Sequence, residues 1–161
     1  MPDRATNLSS EFPPSEFLFS DDQSYSFSEQ PAVTSKASSR ARLRVLVVDD
    51  ERLIAETVAA ILNSNGFEAV EAFNGEEALE AARKLQPDIV LTDALMPKMS
   101  GVELGIRIRQ ELPKTKIFLF SGQAATSELM RKAQADGYNF ELFPKPIHPE
   151  DLIAKLRGVN L

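Results

Sequence analysis

Leu43-Arg44-Val45-Leu46-Val47-Val48-Asp49-Asp50 is the stretch on which the fold turns. A short, β-branched, almost wholly apolar run reads as a strand buried on both faces. Ile54, Val58, Ile61 and Leu62 follow on one helical face, which Asn65-Gly66 stops. The strand-then-helix unit then repeats. Residues 67–72, with glutamates interspersed, read as a more polar strand. Asn74 with Glu77 three residues on resembles a capping box for a helix carrying Ala78, Leu79, Ala82 and Leu85, ended by Pro87. Residues 88–92 form a third strand. Ser100 with Glu103 opens a helix through Leu104, Ile108 and Leu112, stopped by Pro113. Residues 116–120 are a fourth strand, residues 126–135 a helix stopped by Gly137, and residues 140–143 a fifth strand. Pro149 with Glu150 and Asp151 opens a last helix through Leu152, Ile153 and Leu156.

Strict alternation implies an α/β fold, a parallel sheet covered on both faces by right-handed crossovers. The polar or short strands two and five belong at the edges. That gives the order 2-1-3-4-5, a doubly wound, flavodoxin-like (βα)5 sheet. The domain is expected over residues 43–161. Before it, residues 1–42 hold ten serines and scattered aromatics (Phe12, Phe17, Phe19, Tyr25, Phe27) without period, and read as a disordered leader.

Composition excludes several chemistries. The 161 residues contain no cysteine, so disulfides, thiolate metal sites and cysteine nucleophiles are absent. One histidine, His148, rules out His-rich metal sites; between Ile147 and Pro149 it is expected to cap the last helix. A net charge of −6 argues against nucleic acid as a partner. No apolar run approaches the ~18 residues of a spanning helix, and the N-terminal residues lack the basic start and apolar stretch expected of a signal peptide. A cytoplasmic protein is expected.

Ligands bind such sheets beyond the carboxyl ends of the strands, near the switch between strands one and three. Strand one ends in Asp49-Asp50, strand three in Asp93, strand four in Ser121, and Lys145 follows strand five. Each piece alone is common as a cap or a turn; all four at strand ends are not. Three converging carboxylates repel unless a cation joins them, and an all-oxygen set points to Mg²⁺ or Mn²⁺. A hard cation, a lysine, a hydroxyl and a free carboxylate suit phosphoryl transfer.

Those residues lie in segments similar to the response-regulator receiver domains of two-component signalling: Val47-Val48-Asp49-Asp50-Glu51, the run from Asp93-Ala94-Leu95-Met96-Pro97 to Gly101, Phe120-Ser121-Gly122, and Phe143-Pro144-Lys145-Pro146. The resemblance implies that Asp93 is the phosphoacceptor. It implies that Asp50, Asp93 and the backbone carbonyl of Leu95 hold Mg²⁺ directly, with Asp49 acting largely through water. Ser121 would form the switch and Lys145 would pair with the phosphate. The donor would be a sensor kinase phosphohistidine, a phosphotransfer protein or a small acyl phosphate. The receiver would also catalyse its own dephosphorylation. Leu95 and Gln123 stand where the family tunes the phosphoryl lifetime, and leucine there suggests slow hydrolysis.

One position departs from the family. An aromatic residue commonly stands three before the lysine; here it is Leu142, and Phe140 and Phe143 are expected to point elsewhere. With no output domain expected after Leu161, output is expected through a protein contact, a phosphorelay step or sequestration of phosphoryl groups from other regulators, with the protein a monomer or a phosphorylation-dependent dimer. Two alternatives are a phospho-independent binding module and a Mg²⁺-dependent aspartyl-phosphate phosphatase. The phosphatase would want an acid two positions past the nucleophile, where Leu95 stands.

Overall fold

The computed structural model describes residues 41–122 and 125–161. Apart from Ala41 and Arg42, the leader expected over residues 1–42 lies outside them. Ten elements alternate: β1 (Arg44–Val48), α1 (Arg52–Ser64), β2 (Glu68–Ala72), α2 (Gly75–Leu85), β3 (Ile89–Asp93), α3 (Gly101–Glu111), β4 (Lys116–Ser121), α4 (Ala125–Ala135), β5 (Glu141–Pro144) and α5 (Pro149–Arg157). The strands form one parallel sheet in the order β2-β1-β3-β4-β5. No described helix is long and apolar enough to cross a membrane.

Side-chain alternation along the central strands divides the core into two layers. Leu46, Val48, Val90 and Leu119 pack with residues of α2, α3 and α4. Val45, Val47, Ile89, Leu91, Phe118 and Phe120 pack with residues of α1 and α5 on the other face. Strands apolar on both sides can be buried on both sides, so only their ends meet water.

Local chemistry sets the helix boundaries. The Asn74 carboxamide accepts the Glu77 N–H at 2.8 Å, and the Glu77 carboxylate accepts the Phe73 N–H at 3.2 Å. At α3 only half of the expected box forms: Ser100 accepts the Glu103 N–H at 3.1 Å, but the Glu103 carboxylate takes Arg107 one turn on. Gly137, at φ 88°, follows α4 in the left-handed conformation that stops a helix cheaply only at glycine.

Two details differ from the sequence reading. The buried stripe of α1 is Ala55, Ala59 and Leu62, with Ile54, Val58 and Ile61 half-buried beside it. The small alanines let the helix lie close to the sheet, and the larger residues spread to the flanks. His148 occupies the N-cap position of α5, yet its side chain makes no capping hydrogen bond. Pro149 and the acids Glu150 and Asp151 in the first turn favour the helix start instead.

Candidate functional site

β1 is buried up to Val48, and the chain beyond it turns into α1. Asp49 is only 2% exposed, and its carboxylate accepts the Glu51 N–H at 2.9 Å. Asp50, one residue on, is exposed. Asp93 closes β3, which pairs directly with β1. One carboxylate oxygen from each of Asp49, Asp50 and Asp93 lies within 4.8 Å of the others. The strand order thus brings together residues far apart in sequence.

Lys145 reaches this cluster from beyond β5. Its Nζ lies 3.3 Å from Asp93 Oδ2 and 3.7 Å from Asp49 Oδ2. Its backbone N–H donates to the Ser121 carbonyl at 2.9 Å, so β4 holds the lysine in place. One ammonium does not balance three carboxylates. Burial pushes the Asp49 carboxyl above its ordinary range; the Glu51 N–H and Lys145 oppose this, while Asp93 and Asp50 add to it.

Gly101 explains the spacing that follows Asp93. A Cβ built there would collide with the Asp93 backbone carbonyl, and the Gly101 N–H donates to the Ala94 carbonyl at 3.0 Å. The loop between them folds tightly, with Met99 buried among residues of the α2–α3 layer. The Leu95 N–H donates to Asp93 Oδ1 at 3.3 Å, and the Leu95 side chain is half-exposed. Gln123, expected to tune the site, lies outside the described residues.

Ser121 closes β4 beside this cluster, and its hydroxyl is hydrogen-bonded to Thr126 Oγ1 at 2.8 Å. Thr126 sits in the first turn of α4, 2% exposed. Sequence reasoning did not single it out. The available signal was a hydroxyl residue five positions past the serine, at a helix start. Leu142 is 41% exposed, as an edge strand permits. Phe143 points to the opposite face, its ring centroid 5.0 Å from that of Phe118. For Phe140 the expectation from alternation is corrected: it precedes β5, shares the parity of Leu142, and packs in the α2–α3 layer near Tyr138 and Gly105.

The donor set is all oxygen, compact and open to solvent at Asp50. It fits a hard divalent cation such as Mg²⁺, which keeps several waters and takes one or two carboxylates. The Asp49, Asp50 and Asp93 cluster could hold it, with one or two of these carboxylates bound directly and the rest acting through water.

The chain is similar to known proteins over the described domain. A family model described as response regulator receiver domain matches residues 45–157. The probable transcriptional regulatory protein TcrX of Mycobacterium tuberculosis is 33% identical over 115 residues, covering 71% of this chain and 48% of that protein. The response regulator MprA of Mycolicibacterium vanbaalenii is 32% identical over 117 residues, covering 73% and 50%. The chain therefore spans about half the length of the curated relatives it matches. Among solved structures, the Vibrio cholerae chemotaxis protein CheY4 superposes with a TM-score of 0.66 at 31% identity, over 74% of this chain and all of that one.

Proposed function

The chain belongs to the response-regulator receiver family, and from that premise we propose that residues 43–161 form a phosphoacceptor domain with Asp93 as the acceptor. The observation that carries this reading is the convergence of three carboxylates within 4.8 Å, with Lys145 at 3.3 Å from Asp93.

In the proposed reaction an Asp93 carboxylate oxygen attacks the phosphorus of a kinase phosphohistidine. The new O–P bond forms as the N–P bond breaks, and the electron pair leaves with the imidazole nitrogen. A Mg²⁺ ion bound by the aspartates would supply charge neutralisation for the phosphoryl oxygens. Lys145 exchanges its ion pair with Asp93 for one with a phosphoryl oxygen. The Ser121 hydroxyl donates to another. Hydrolysis reverses the modification: a water oxygen bonds to phosphorus, the Asp93 O–P bond breaks, and phosphate leaves. The half-exposed Leu95 shields the acyl phosphate from water more than a polar residue would, so slow hydrolysis is expected.

Phosphorylation adds about −1.5 to −2 charges to the pocket. Ser121 and Lys145 then bias a two-state equilibrium whose output is the surface of α4, β5 and α5. A cytoplasmic sensor kinase or phosphotransfer protein as donor accords with this reading, as does a protein target for output.

The test is incubation of the full chain with acetyl phosphate and Mg²⁺, read by intact mass. One added phosphoryl group is expected in the wild type, and none in Asp93→Ala or after chelation. An adduct that persists in Asp93→Ala would place the acceptor elsewhere.

A further inference from the structure

Leu142 leaves this chain without the aromatic side chain that could transmit the state of Ser121 by packing, and the hydroxyl pair between Ser121 and Thr126 offers another route. We propose that Thr126 is the positioning residue that holds Ser121 in the unphosphorylated state and couples its release to α4. The proposal deepens the receiver reading and rests on it.

The two hydroxyls are 2.8 Å apart, and Thr126 is almost fully buried. A hydroxyl has one hydrogen to donate. When the Ser121 hydroxyl turns to a phosphoryl oxygen on Asp93, its bond to Thr126 is surrendered. As the Ser121 oxygen moves toward the phosphoryl group, the buried Thr126 hydroxyl keeps a partner only by following it or by finding another. Thr126 lies in the first turn of α4 and moves with that helix. Further along α4, Leu129, Met130 and Ala133 pack into the α2–α3 layer of the core. Reorientation of one serine is thereby converted into displacement of a helix. Half-exposed Leu142, on the edge strand, is not needed for this step.

Competition of this kind has a sign. In the resting state Thr126 holds back a hydrogen bond that the phosphoryl group needs. Removing the Thr126 hydroxyl should make the site bind a phosphoryl analogue more tightly while uncoupling α4. Damage to packing would do the reverse.

The experiment titrates beryllofluoride with Mg²⁺ into the full chain and follows backbone amide shifts. In the wild type, binding should move the Asp93 and Lys145 amides together with those of Leu129, Met130 and Ala133. In Thr126→Val, binding should tighten by roughly two- to ten-fold, the worth of one neutral hydrogen bond, and the α4 amides should no longer follow. Thr126→Ser, which keeps the hydroxyl, should restore both wild-type properties. Affinity unchanged or weakened in Thr126→Val, α4 amides that move as in wild type, or failure of Thr126→Ser to restore them would overturn the proposal. If the valine variant does not fold, Thr126→Ala is read by the same two quantities. Absence of any analogue binding by the wild type would instead defeat the phosphoacceptor reading, and this proposal with it.

Discussion

At the amino end of the strands, Asp88 accepts the Arg44 N–H at 2.8 Å and lies 3.7 Å from its guanidinium, and Glu111 takes Arg83 through two bonds of 2.8 Å. At the carboxyl end, Asp49, Asp50 and Asp93 converge, and among the described residues Lys145 is the cation within ion-pair distance of them. The first end matches its acids with arginines and gains stability. The second holds like charges together and keeps a buried carboxylate in a tight loop. Binding and switching sites commonly sacrifice stability in this way.

The largest expected effect comes from the loop beneath the acceptor. Gly101→Ala forces a methyl group against the Asp93 carbonyl and should lower stability by ~3 kcal/mol in denaturant melts. A loss well under 1 kcal/mol would show that the carboxyl end yields more easily than its packing suggests.

Asp49→Asn tests the sign of the contrast. Without metal, removing the buried charge should raise stability at neutral pH, because burial and the neighbouring carboxylates disfavour the ionised form. Burial raises the folded-state pKa of Asp49, so the folded protein holds this proton more tightly than the unfolded chain. That contribution is present at pH below the ordinary carboxylate range and is lost as pH rises through the folded value. The gap between variant and wild type should therefore be widest at neutral pH and close on acidification. A gap that widens in acid would contradict the assignment.

The same kind of change at the other end should have the opposite sign. Asp88→Ala leaves the partly buried Arg44 N–H without its acceptor and should destabilise by ~1 kcal/mol. The smallest effect belongs to Glu111→Gln, which weakens an exposed pair between α2 and α3. Hydrogen bonding to Arg83 holds the Glu111 carboxyl below its usual range, so its small contribution should fade as pH drops through that lowered value. The loss in the glutamine variant should vanish in high salt.

Much of this was legible from residues alone. Strand order followed from which strands were apolar on both sides, and the order placed Asp50 beside Asp93. The Gly101 spacing was readable as a motif, while its cause, a backbone carbonyl against the glycine, needed coordinates. Helix faces were less legible, because burial of Ala55 and Ala59 depends on how closely α1 approaches the sheet. Phe140 was misjudged because residues two apart share a face of a strand, so alternation separates Phe143 from Leu142 but not Phe140. The Ser121–Thr126 bond escaped notice because a hydroxyl residue at a helix start is too common to single out without coordinates.

The most direct measurement is the melting temperature of chelator-treated protein across a Mg²⁺ titration at neutral pH, in wild type and in Asp50→Asn. The expected result is a saturable rise in the wild type that is lost in Asp50→Asn. A wild-type melting temperature indifferent to Mg²⁺ would contradict a carboxyl end built to be completed by a cation.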